Sequence, residues 1–200
     1  MARLKRGWSD RAKDRSLSDI GGAISFNIWQ ISGQGVLDLE NEGFETHTHS
    51  QRMDVIIEFA AYLLQSVDRL IFDLLGEEER AELITAAGLH LARIVQDNRQ
   101  EADGAGDYTG DFLKLLNQRI AEYSNCRFDL KEGPSFVFLR LLGDHVTDCM
   151  GERDAKWITG YIIDVMGNQM FSSLKRILPG ILDPARKAAT IDPMRAKNYE

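Results

Sequence analysis

Apolar positions recur every three or four residues along most of this chain. The clearest run is RMDVIIEFAAYLLQSVDRLIFDLL, in which Met53, Ile56, Ile57, Ala60, Leu64, Val67, Ile71 and Leu74 fall on one stripe. Asp54, Glu58, Gln65, Asp68 and Arg69 take other faces, so the pattern predicts an amphipathic helix of about six turns. Gly76 is its expected stop, because glycine accepts the left-handed cap conformation. EEERAELITAAGLHLARIVQDNR follows at once, with acidic residues suited to a helix start. Leu83, Ala87, Leu91, Ile94 and Asn98 continue its stripe. The short joint makes the two segments an antiparallel helical hairpin over about 52–100.

The stretch from Glu101 to Gly110 reads as a glycine-rich flexible connector. Phe112, Leu116, Ile120 and Tyr123 align on a further helix, and NCRFDLKEG connects it to the next. Pro134 suits the first turn of that next helix, which carries Phe138, Leu142, His145 and Cys149 on one face. Trp157, Ile158, Tyr161, Ile162 and Val165 mark the last long segment. Gly167-Asn168 suggests a break or kink in it, and Pro179-Gly180 its end.

Residues 20–32 are ambiguous. Ile20, Ile24, Ile28 and Ile31 fit a helix, whereas Ile24, Phe26 and Ile28 alternate as a strand would. No second strand is available to pair with it, so helix is the reading, with Ser18-Asp19 at its cap. Trp29 and Phe26 leave it apolar nearly all round, which places it centrally or under a partner chain. The expected fold is all-α: a single-domain bundle of about six helices over 17–180, with a basic flexible arm over 1–16 and a loose C-terminal tail over 181–200.

Charge sharpens this picture. The chain carries −7 overall, yet residues 1–15 hold six basic side chains against Asp10 and Asp14, a net of +4 that leaves −11 for the rest. An acidic body disfavours nucleic acid and anionic lipid, while a basic arm can still touch either. No run of about 18 apolar residues is present, so no membrane span is expected. Cys126 and Cys149 are the only cysteines and form no C-x-x-C pair. They read as free thiols in a reducing cytoplasm.

Candidate chemistry is sparse. His47 and His49 in ETHTHS stand two apart, so in an extended chain both imidazoles point to one side. That supplies two of the three or four ligands a divalent metal needs, with His90 and His145 as candidates for the rest. The competing reading is a polar lead-in to a helix with Thr46, Thr48 or Ser50 as its N-cap. His145 and Cys149 lie one helical turn apart and suit either a zinc half-site, with Cys149 as a reserve ligand, or a thiolate–imidazole pair. Against both, the pair shares a face with Phe138 and Leu142, as core residues do. His90 reads as a boundary residue. Ser172 and Lys175 spell S-x-x-K without the companion motifs of that enzyme class. No catalytic constellation emerges and no cofactor is expected.

The resulting expectation is a non-enzymatic cytoplasmic protein that acts by protein–protein interaction, principally with itself as a homodimer. A helical bundle holding a metal or small ligand through His47 and His49 is the alternative. A regulator whose basic arm contacts nucleic acid is the third reading.

Overall fold

The computed structural model describes residues 15–150 and 154–182. Its helices are α1 (Leu17–Asn41), α2 (His49–Ile71), α3 (Glu77–Asp103), α4 (Tyr108–Ser124), α5 (Phe136–Met150), α6 (Ala155–Tyr161) and α7 (Gly167–Leu182). A π-turn over Ile162–Met166 joins α6 to α7, so these two form the sixth rod of an all-α bundle. A two-residue antiparallel ladder, β1 (Phe128–Asp129) with β2 (Gly133–Pro134), pairs Phe128 with Pro134 and Asp129 with Gly133. None of the described helices is long and apolar enough to cross a membrane.

The strongest apolar stripe becomes the centre of the fold. Thr48 caps α2, its Oγ1 accepting from the Gln51 N–H at 3.0 Å. From Val55 to Val67 every residue but Ile56 is buried, and α1, α3, α4, α5 and α7 all pack against this helix. Tyr62, Tyr123 and Phe138 form an aromatic group at its middle, with the Tyr123 and Phe138 rings stacked at 4.5 Å. The Tyr62 hydroxyl donates to the Gly167 carbonyl at 2.8 Å, fixing the end of the π-turn.

Residues 20–32 lie within α1, settling the ambiguity in favour of helix. The cap is two residues earlier than Ser18: Ser16 accepts from the Asp19 N–H at 3.1 Å, and the Asp19 carboxylate accepts from the Ser16 N–H at 2.9 Å. α1 lies against α3 at a close crossing. A Cβ on Gly21 would sit 2.9 Å from the Ala87 nitrogen, and the Ser25 hydroxyl donates to the Ala87 carbonyl at 2.8 Å.

Several boundaries differ from expectation. Gly76 does not end α2, which stops at Ile71; it caps the start of α3, where its N–H donates to Glu79 at 3.2 Å. Glycine serves either helix end, so its presence alone did not say which. The connector after α3 is only 104–107. Gln96 holds it, donating to the Gly106 carbonyl and accepting from the Tyr108 and Thr109 N–H groups. Pro134 belongs to the ladder rather than to the first turn of α5, and Gly133 beside it takes φ +95°, a left-handed conformation open to glycine. The kink expected at Gly167 is the end of the π-turn, while Pro179 lies inside α7 and does not stop it. Trp157, one of the apolar residues that mark the last long segment, is 66% exposed. The arm before Arg15 and the tail after Leu182 lie outside the described residues.

Candidate functional site

The four histidines stand in separate settings. His47 and His49 are exposed at the start of α2. The His47 N–H donates to the Gln51 side chain at 2.6 Å, a helix-cap arrangement. His90 on α3 lies against Gly22 of α1, its Nε2 3.4 Å from the Ser18 hydroxyl. His145 on α5 contacts Glu122 of α4 at 2.7 Å. Among the described residues no group of three or more His, Cys, Asp or Glu is arranged to hold a metal ion.

His145 and Cys149 share a helix but not a partner. Cys149 lines a cleft of about 600 Å³ among α2, α3, α4 and α5. Burial pushes its thiol up to about 12, with the Glu58 and Asp54 carboxylates adding to the effect. It therefore stays protonated at neutral pH, which removes the basis for a nucleophile. Alkylation of Cys149 by iodoacetamide at pH 8 is expected to run about 10³-fold slower than that of an unperturbed cysteine. A time course read by peptide mass spectrometry checks this; labelling at the ordinary rate refutes it.

The cleft also exposes an ion-pair network that the sequence pattern did not reveal. Glu58 had been assigned to a polar face of its helix, yet it is buried at 3% exposure between Ile57 and Phe59. Arg119 of α4 meets it with two parallel bonds, Nε to Oε2 and Nη2 to Oε1, both 2.8 Å. Arg119 Nη1 continues to Glu122 at 3.3 Å, and Glu122 meets His145. Burial alone would raise the Glu122 carboxyl, but bonds from Gln118 and His145 and the Arg119 charge outweigh it and hold it below its usual range. Arg99 anchors the far wall: Nη1 donates to the Ser50 hydroxyl at 2.8 Å and to Asp103 at 2.9 Å, and Nη2 pairs with Asp54. The one sequence signal was a lone carboxylate inside VIIEFAAYLL, where a charge must find a partner or cost several kcal/mol.

The second candidate is the outer face of α1. From Ile20 to Leu37 eighteen successive residues carry no charged side chain and no histidine. Ile20, Ile24, Ile28 and Val36 are buried against the bundle. The opposite face presents Phe26, 60% exposed, Leu37, 52% exposed, and between them Trp29 and Gly33. These four stand at helical spacing on one line. Nothing lies within 4 Å of where a Gly33 Cβ would be. A depression of about 330 Å³ opens there, walled by Trp29, Gln30, Gln34, Val36 and Leu37 of α1 and by Arg52 and Ile56 of α2.

No family model, curated protein or solved structure matches this chain.

Proposed function

We propose that this chain is a non-enzymatic helical protein that works by binding another protein through the outer face of α1. The observation that carries the reading is the uncharged stretch from Ile20 to Leu37, which keeps an apolar stripe in solvent. A helix on a protein surface ordinarily spends its outer face on charged residues. Charge depletion with exposed aromatic residues is instead the composition of an interface core. A cytoplasmic setting belongs to the same reading, since Cys126 and Cys149 both carry free thiols.

The test uses a photo-crosslinking phenylalanine analogue in cells that make the protein. Placed at position 26 it should give discrete protein adducts, while the same analogue at Gln100, exposed on α3, should give none. Equal adduct patterns at the two positions would remove the reading.

A small-ligand function is the second reading, favoured by the cleft beside Glu58. It ranks lower because the polar groups there are already engaged: Glu58 by Arg119, and Asp54 and Asp103 by Arg99. Ligand pockets ordinarily keep a few convergent polar groups for the ligand itself.

A further inference from the structure

A cleft of about 890 Å³ runs between α1 and the rod made by α6, the π-turn and α7. Its two walls are antiparallel. A Cβ on Gly35 of α1 would sit 3.3 Å from the Met170 sulfur of α7. Phe44, past the end of α1, meets Tyr161, ahead of the π-turn, with ring centroids 5.3 Å apart. The π-turn itself gives Asp164, Val165 and Met166 to the cleft. Such turns inserted into helical rods recur at functional sites.

Charge is divided along this cleft. The antiparallel walls bring Asp38 and Asp164 to one end and leave Arg176 at the other, beside Gln30. Asp38 takes one bond, from Gln34 at 2.8 Å. Asp164 and Arg176 are exposed, and neither side chain has a hydrogen-bond or ion-pair partner among the described residues. They stand twelve residues apart, about 18 Å along the rod at 1.5 Å per residue. They cannot pair with each other over that span, and a compact zwitterion cannot reach both. The middle of the cleft is polar and uncommitted. Gln30 on one wall and Gln169, Ser172 and Ser173 on the other have no side-chain partner among the described residues. This is the condition that the cleft beside Glu58 fails. A carboxamide offers both a donor and an acceptor, the two needs of a peptide unit outside secondary structure. A docking helix arrives with its backbone already paired and asks for an apolar wall instead. Here Ile31, Val165 and Ile177 are only half-buried apolar patches on an otherwise polar lining.

We infer that this cleft holds an extended peptide segment of a partner, with a basic side chain at the Asp38–Asp164 end and an acidic one at Arg176. A strand rises about 3.3 Å per residue, so two positions about six residues apart span about 20 Å and match the two ends. An even spacing also turns both side chains to the same face. The residues between them on that face are apolar, over Ile31, Val165 and Ile177. The inference goes beyond the docking face at Phe26. The cleft lies about 100° round α1 from that line, and either surface can fail without the other.

Affinity selection on the full chain, read by mass spectrometry, tests the charge pattern. The probes are three pools of acetylated, amidated heptapeptides whose interior positions are drawn from Ala, Ser, Val and Leu. One pool has Lys and Glu at its two ends, one has Lys at both and one has Glu at both. The mixed pool should be retained about fivefold more than either other, the scale of one exposed ion pair replaced by a repulsion. Arg176→Glu, with unchanged helical content, should reverse the order and retain the Lys/Lys pool above the mixed one. Equal retention of the three pools, or none, overturns the inference. Glu/Glu peptides held as well as mixed ones would mean a simple anion site at Arg176, and overturn it too. Phe26→Ala should leave retention unchanged; loss there would place the peptides on the outer face of α1 and not in the cleft.

Discussion

Arg119→Ala is expected to remove about 3–5 kcal/mol of unfolding free energy, a large share of the total for a domain of this size. The Glu58 side chain is 4% exposed and that of Arg119 13%, so the carboxylate has almost no water to fall back on. Deleting the guanidinium leaves a buried anion whose two bonds are both lost. The carboxyl must then take up a proton or draw water into the core, and either response costs free energy. The converse substitution tells which part of the cost is the orphaned charge. Replacing the pair together, Glu58→Leu with Arg119→Met, should recover most of the loss, since apolar side chains of similar volume need no partner. Guanidinium denaturation with an unchanged m-value is the measurement. A cost below about 1 kcal/mol for Arg119→Ala would mean that the pair behaves as an exposed one.

The second large effect is a contrast of sign within one helix. Gly21→Ala should destabilise by about 1–3 kcal/mol, because a methyl group there meets Ala86 Cβ and the Ala87 nitrogen at 2.9 Å. Two backbones cannot yield as the end of a side chain can, so α1 and α3 must part. The Ser25 bond to the Ala87 carbonyl is strained by the same movement. Gly33→Ala, twelve residues on, should stabilise the monomer by about 1 kcal/mol, the ordinary helix preference of alanine over glycine in open space. Both values are read from chemical denaturation of the purified chain. If Gly33→Ala lowered stability, the surroundings of that position would be closed rather than open, and the depression beside Trp29 with it.

How much of this was legible in the sequence depends on where each residue's partner lies. The stripe of α2 was legible because burial on one face leaves a local trace, recurring every three or four letters. The ambiguous segment at 20–32 resolved as helix for the reason given by pairing: a strand there had no mate, and the ladder that exists, Phe128–Asp129 with Gly133–Pro134, begins 96 residues after its end. Glu58 was misplaced because its partner is 61 residues distant. A helical wheel sees a charge and assigns it to solvent. Trp157 is the converse case, an apolar letter on an outer face. The histidine pair in THTHS was legible as two side chains, but whether others arrive depends on the crossing of helices. His90 goes to α1 and His145 to Glu122, each held by a neighbour of its own. The outer face of α1 was half legible: Phe26 and Trp29 announced surplus apolar surface, while the open space at Gly33 shows only once α1 and α2 are packed.

The π-turn has a consequence for helical phase. Ile158, Ile162, Met166, Met170, Leu174, Leu178 and Leu182 are all buried, and each stands four residues after the last. Four residues advance an α-helix 40° beyond a full turn, so six such steps would carry the buried line about 240° around the rod. The single residue that the π-turn adds takes back about 100° of that drift. The remaining rotation of about 140° is what lets one rod serve two neighbourhoods. Its first half faces α5, and its second half faces α1 and α2. Without the added residue the same seven side chains would pass those helices and emerge on the solvent side before Leu182.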